Sequence, residues 1–164
     1  MSPRWQPKAA AFWPTLVAIY CIDFVTKRIA ESHLFPEHVP HPVLGDFVRL
    51  TLAYNSGAAM GLSLGGYSRI GFTLTAAVIL AVLGTIYHKS PARAKGPAFA
   101  LALIAAGALG NLTDRLMTSK GVVDFIDIGI GSSRFYTFNV ADSAITCGAI
   151  LLAVLSMKKN REET

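Results

Sequence analysis

The stretch "IGFTLTAAVILAVLGTIY", residues 70–87, runs for eighteen residues without a single charge. A bilayer's hydrocarbon core is about 30 Å thick and takes roughly 20 mostly apolar residues as a crossing helix. Working outward from this stretch, three more segments fit the same length: about Ala9 to Ala30, Pro97 to Leu116 and Val140 to Met157. The chain as a whole is 52% hydrophobic and only 15% charged. A soluble domain of 164 residues carries more charge than that, so an integral membrane protein is expected. The expected fold is all-α, four transmembrane helices over 9–30, 70–87, 97–116 and 140–157, forming one domain without repeats. The first span carries Asp23 and Lys27 and shows no small-residue cleavage pattern, so it is expected to be a retained anchor.

Lys and Arg placement sets the expected orientation. Arg4 and Lys8 precede the first span, Lys89, Arg93 and Lys95 fill the short second loop, and Lys158, Lys159 and Arg161 follow the fourth span. The positive-inside rule then puts both termini and that short loop in the cytoplasm. The loops over about 31–69 and 117–139 face outward. The net charge of +5 reflects these anchors and predicts contact with membrane lipid, not nucleic acid. Cys21 and Cys147 fall within spans, outside any CxxC pair, and are expected to be buried and apolar in role.

The spans are not polar at random. At 1.5 Å per residue, Asp23 lies about 21 Å from the inner edge, Asn111 about 21 Å, Asp114 about 26 Å and Asp142 about 22 Å. Three spans thus place polar groups in one layer, and ionisable groups at such depth usually face the bundle interior and mark a site. Asp23 and Lys27 are four apart and can pair on one helix face. Asn111, Asp114 and Arg115 share a face in the same way.

The loop "KGVVDFIDIGIGSSRFYTFNVADSA" adds Asp124 and Asp127 ahead of Asp142, with Arg134 between. Its Gly and Ser content suggests a segment lying against the membrane surface. A connection of about 22 residues can readily return a carboxylate toward the start of the fourth span. Two carboxylates brought together there cannot both ionise easily and share a proton. One can then activate water while the other protonates the carbonyl oxygen or the leaving amine. Spacing alone leaves Asp124 and Asp127 as equal candidates for the partner of Asp142.

The first outer loop reads differently. In "GDFVRLTLAYNSGAAMG", Val48, Leu50, Leu52 and Tyr54 alternate with Arg49, Thr51 and Ala53, which is a strand's period. Asn55 and Gly57 form a turn signal after it. A small β-cradle presenting backbone groups to an extended peptide is expected in this loop. Rival chemistries fit poorly. "HLFPEHVPH" offers His33, Glu37, His38 and His41, but it is not HExxH, and Pro36 and Pro40 break any helix through it. "NSGAA" is not a nucleophile elbow for Ser56. No metal or cofactor is expected.

Five blocks in this order resemble the signatures of the bacterial lipoprotein signal peptidase (signal peptidase II) family. They are "DFVTK" (23–27), "YNSGAAMG" (54–61), "GNLTDRL" (110–116), "GVVDFID" (121–127) and "FNVADSAI" (138–145). The resemblance spans nearly the whole chain. It implies an intramembrane aspartyl endopeptidase of the bacterial inner membrane, with its active site at the outer leaflet. Such an enzyme removes the signal peptide from diacylglyceryl-modified prolipoproteins, cutting before the lipidated cysteine. It also implies sensitivity to globomycin-type inhibitors. By motif, the catalytic pair is Asp124 and Asp142, which leaves Asp127 a supporting role. The implied supporting and substrate-binding positions are Asp23, Lys27, Asn55, Gly57, Asn111, Asp114, Arg115 and Asn139, with Ala141 close to substrate. Met60, Thr113 and Tyr136 depart from residues frequent in the family, which bears on the details of substrate fit. A proton-coupled transporter or a non-catalytic envelope scaffold would also explain a carboxylate layer. A transporter, however, should carry acids onward through the inner halves of the spans, which are bare here.

Overall fold

The structure is a computed structural model and describes residues 6–56 and 68–162. Helices α1 (Pro7–His33), α2 (Ser68–Lys89), α3 (Lys95–Met117) and α4 (Val140–Glu162) coincide with the expected spans, each extended by a few residues. All four are long and apolar enough to cross a membrane. The chain is a multi-pass membrane protein.

The bundle is organised around α3, which packs against α1, α2 and α4. Its buried residues are mainly Ala and Gly: Ala98, Ala100, Ala102, Ala105, Ala106, Gly107, Ala108 and Gly110 among them. Lipid tails are as apolar as leucine, so helices in a bilayer gain little by hiding large side chains. Small residues instead let backbones approach closely. A Cβ added at Gly107 would collide with the Ala141 carbonyl on α4, and one at Gly110 would fall on the Asp23 carboxylate of α1. These two glycines draw three helices together at one level.

Large apolar side chains point outward on every span, including Ile22, Val25, Leu74, Val78 and Ile150. Cys21 and Cys147 belong to this outer surface. Both are exposed, and the expectation that they are buried is corrected. The helices' few inward contacts are used up by α3's small residues and by polar groups, which leaves the cysteines facing lipid.

The expected strand is present as β2 (Val48–Asn55), preceded by β1 (His41–Leu44). The third loop contributes as well. It does not simply lie on a surface but forms β3 (Val122–Ile130) and the short β4 (Ser133–Arg134). The four strands make one antiparallel sheet in the order β1-β2-β3-β4. Pairing sets Ala53 opposite Asp124 and Asn55 opposite Val122. A second core joins this sheet to the end of α1, where Ala30, Leu34, Leu52, Val123 and Phe125 are all buried.

At the sheet's far end, Asp127 accepts hydrogen bonds from Arg134 Nε at 2.6 Å, Arg49 Nε at 3.1 Å and Thr51 Oγ1 at 3.1 Å. Asp46 joins the same cluster through Arg49. Burial alone would raise the Asp127 carboxyl, but these donors outweigh it and hold the group below the usual carboxylate range. Asp127 therefore ties the two hairpins together.

Candidate active site

Sheet and bundle meet at the start of α4. After β4 the chain runs back along β3, where Phe138 and Ile126 exchange backbone hydrogen bonds at 2.8 and 3.0 Å. The next residue, Asn139, is fully buried and donates its Nδ2 to Asp124 Oδ1 at 2.7 Å.

Asn139 is also the N-cap of α4. Its Oδ1 accepts the Asp142 N–H at 2.9 Å, and Asp142 Oδ2 accepts the Asn139 N–H at 3.3 Å. This is a reciprocal capping box, in which two donors left free at a helix start satisfy each other's side chains. Asp142 therefore belongs to the first turn of α4, where the helix dipole favours negative charge. A further free donor of that turn, the Ala141 N–H, is taken by Asp23 Oδ1 of α1 at 2.8 Å. Ala141 itself is fully buried in the α3–α4 contact and does not line the cavity beside the two aspartates.

Below this turn lies a buried ion cluster. Lys27 is 0% exposed. Its ammonium meets Asp23 Oδ2 at 2.8 Å, Asp114 Oδ2 at 3.0 Å and Asn111 Oδ1 at 2.9 Å. An ammonium has three N–H donors, so each finds one acceptor. From here two arms lead to the aspartates. Asn111, its oxygen held by Lys27, donates Nδ2 to Asp142 Oδ1 at 2.8 Å. Asp114, also held by Lys27, accepts the Val123 N–H at 3.2 Å, one residue before Asp124. The polar layer read from helical depth is thus a connected network.

Asp124 and Asp142 line one cavity of about 650 Å³, together with Asn55, Phe72, Arg115, Phe135, Tyr136 and Thr146. Asp124 is 3% exposed. Burial, and then the charge of Asp142, push its carboxyl up to about 7, against hydrogen bonds from Asn139 and Asn55 that pull the other way. Arg115 donates to the Asn111 carbonyl at 3.1 Å and lies over the Phe72 ring. Asp127 is remote from this cavity. Of the two loop acids that spacing left as equals, Asp124 is the one that shares the cavity with Asp142.

Gly57 and Met60 lie outside the described residues. Thr113 bonds the Leu109 carbonyl and approaches the Tyr20 hydroxyl at 3.3 Å, away from the cavity, whereas Tyr136 is part of the cavity wall.

Sequence reasoning missed Arg28, Glu31 and the partner role of Tyr54. Arg28 binds Asp114 Oδ1 at 2.8 Å and Glu31 at 2.6 Å, and Glu31 accepts the Tyr54 hydroxyl at 2.9 Å. Burial and that bond to Glu31 push the Tyr54 hydroxyl up to about 12, so it remains a donor. The signal was available in the i, i+3 spacing of Arg28 and Glu31, but both looked like ordinary charges at a helix end.

Comparisons with known proteins point to one family. Residues 15–158 match the family model for signal peptidase (SPase) II. A lipoprotein signal peptidase of Streptomyces coelicolor is 36% identical over 160 residues, covering 94% of this chain and 74% of that protein. One from Francisella tularensis subsp. novicida is 37% identical over 144 residues, covering 86% and 88%. One from Teredinibacter turnerae is 38% identical over 146 residues, covering 88% and 85%. Two solved structures described as bacterial membrane enzymes, at 2.3 and 1.9 Å resolution, align with TM-scores of 0.81 and 0.77 at 33% and 34% identity. The first alignment covers 92% of this chain and 89% of that one, and the second 88% and 90%. With the family model matching residues 15–158 and relatives 36–38% identical along most of its length, the chain belongs to the signal peptidase II family of membrane peptidases.

Proposed function

We propose that Asp124 and Asp142 are a water-activating pair that removes the signal peptide from diacylglyceryl-modified prolipoproteins, cutting just before the lipidated cysteine. The observation that carries this reading is their asymmetry within one cavity. Asp142 sits in the first turn of a capped helix and accepts hydrogen bonds from the Asn111 amide and the Asn139 N–H. Asp124, pushed up to about 7, holds the shared proton.

In the reaction, a water between the carboxylates gives a proton to Asp142 as its oxygen attacks the scissile carbonyl. Asp124 gives its proton to the carbonyl oxygen, producing a neutral gem-diol. Collapse of the gem-diol breaks the C–N bond. The proton on Asp142 goes to the departing cysteine amine, and one gem-diol proton returns to Asp124. Asn111 and Asn139 fix the carboxylates in place. Asn55, Arg115 and the segment around Gly57 hold substrate. Asp23, Lys27 and Asp114 hold the frame. Neither metal nor cofactor enters this scheme.

The chain acts as a single membrane-embedded domain in the bacterial inner membrane, with cytoplasmic termini. The pair waits at the outer leaflet because the substrate's lipid anchor holds the scissile bond at that level, which also restricts the search to two dimensions. Each buried methylene of that anchor is worth about 0.8 kcal/mol. Globomycin-type cyclic peptides would compete for the cavity.

The test uses purified protein and two precursors that differ only in diacylglyceryl modification, followed by gel shift in one detergent. The lipidated form should be cut and the unlipidated form barely touched. Equal cleavage of both would refute lipid-directed recognition.

A further inference from the structure

A second cavity, of about 420 Å³, lies behind the sheet, lined by Thr26, Ile29, Ala30, His33, Leu34, Leu50 and Phe125. Its walls come from one face of α1 and from strands β2 and β3. Phe125 and Asp124 are successive strand residues and project to opposite faces. The cavity is therefore separated from the aspartates by the sheet itself.

Its polar lining offers a ligand almost nothing. Thr26 Oγ1 donates to the Ile22 carbonyl at 2.7 Å, and His33 Nδ1 lies 2.7 Å from Ser32 Oγ and 3.1 Å from the Ile29 carbonyl. A ligand recognised here is apolar.

The cavity also opens onto a surface whose solvent is known. Ile22, Val25 and Ile29 are 49%, 52% and 53% exposed and lie at helical spacing along α1, a stripe that faces hydrocarbon in a membrane-spanning helix. Ile29 belongs both to that stripe and to the cavity wall. The lipid-facing surface thus continues from the flank of α1 into a recess beneath the sheet, with the Thr26 hydroxyl between them turned back onto its own helix. Water would find few partners in such a recess, whereas a hydrocarbon chain already lies at its entrance.

We propose that this recess is a binding site for one acyl chain of a bilayer phospholipid from the leaflet on the sheet side. The chain rises along the Ile22–Val25–Ile29 stripe and lodges against Leu34, Leu50 and Phe125. It fills the space behind the strand that carries Asp124. A bilayer lipid is favoured over the precursor's own acyl chains because the sheet and α1 stand between this recess and the scissile bond.

The test is independent of peptidase activity. The full chain is reconstituted in phosphatidylethanolamine–phosphatidylglycerol vesicles. These contain a trace of phosphatidylethanolamine bearing a diazirine near the end of one acyl chain. Cross-links are then mapped by mass spectrometry. Labelling of Leu34, Leu50 and Phe125 should exceed that of the exposed α2 residues Leu74 and Val78 by about fivefold or more. Ile29→Trp, at the half-exposed rim, and Ala30→Phe, inside the recess, should each remove the excess while leaving α2 labelling unchanged. Ile29→Trp keeps the test sound if Ala30→Phe fails to fold. Equal labelling of recess and α2, or an excess that survives in folded Ile29→Trp, would overturn the site. So would labelling of the recess by a diazirine-tagged lipidated precursor but not by the phospholipid.

Discussion

Lys27→Met removes the group from which both arms of the network start. The methionine keeps most of the side chain's volume but none of its three donors. Left behind are Asp23 and Asp114, 0% and 1% exposed, with Arg28 as the remaining cation near Asp114. Removing one partner of a buried ion pair typically costs about 3–5 kcal/mol, because the other charge stays buried and uncompensated. At roughly 2–4 °C per kcal/mol for a chain of this size, the thermal midpoint should fall on the order of 10 °C. Turnover should suffer separately. Asn111 loses its charged donor at 2.9 Å and keeps only the longer one from Asn139 Nδ2 at 3.2 Å, so its hold on Asp142 loosens, and a misplacement of about 1 Å can cost about 100-fold. We expect kcat for a lipidated precursor, measured by gel shift below the lowered midpoint, to drop about 100-fold, with KM changing less than about threefold. The double variant Lys27→Met with Asp114→Asn distinguishes the two effects. It removes a stranded charge and should recover part of the midpoint, yet kcat should stay low because the ammonium's bond to Asn111 is not restored. A folded Lys27→Met protein with kcat within threefold of the parent would refute the claim that this lysine orders the pair. Recovery of kcat in the double variant would show that the loss came from charge strain and not from positioning.

Asp124→Asn and Asp142→Asn should each abolish cleavage in protein that remains folded. The double variant should be little worse than either, because the two act as a unit; substantial turnover in either single variant would sink the assignment. The pH profile should have a falling limb near pH 7. Asp124 is protonated below about 7 and ionised above it, so kcat should decline as pH rises through that value, and a rate flat to pH 9 would contradict its role as the acid. Gly110→Ala should lower the thermal midpoint and activity together, since the new methyl would fall on the Asp23 carboxylate. Overpacking of this kind costs about 1–3 kcal/mol, and an unshifted midpoint would show that α1 and α3 have room to part.

The helices were legible because a membrane imposes one simple demand, an apolar run of fixed length, and residues 70–87 and their three counterparts meet it openly. The layer of Asp23, Asn111 and Asp142 was legible for the same reason, since helical rise converts residue number into depth. Strand β3 was not. In "VVDFIDI" the two acids stand three apart, at 124 and 127, and break a strand's period of two. The strand is central, with β2 on one side and Phe138 on the other, and its residues from Val122 to Phe125 are all buried. A strand covered on both faces reads as a continuous apolar run instead of an alternating one. The motif resemblance chose Asp124 over Asp127 where spacing could not. Pairing register separates the two acids: Asp124 lies opposite Ala53 and lines the cavity, while Asp127 lies opposite Arg49 and binds it and Arg134.

The capping of α4 shows why no local signal could have completed the site. The "NVAD" box is readable in sequence as an N-cap followed three residues later by an acid. By itself it would describe an ordinary helix start. What makes it more is Asp23, 118 positions away, which takes the Ala141 N–H and presents its other oxygen to Lys27. One carboxylate thereby ties the first turn of α4 to the ion cluster from which Asn111 reaches Asp142. Gly110 is part of the same device, because only a residue without a side chain leaves space for that carboxylate. The position of Asp142 thus depends on α1 and α3 as much as on its own helix. Substitutions at Asp23 or Gly110 should therefore act on the pair without touching substrate.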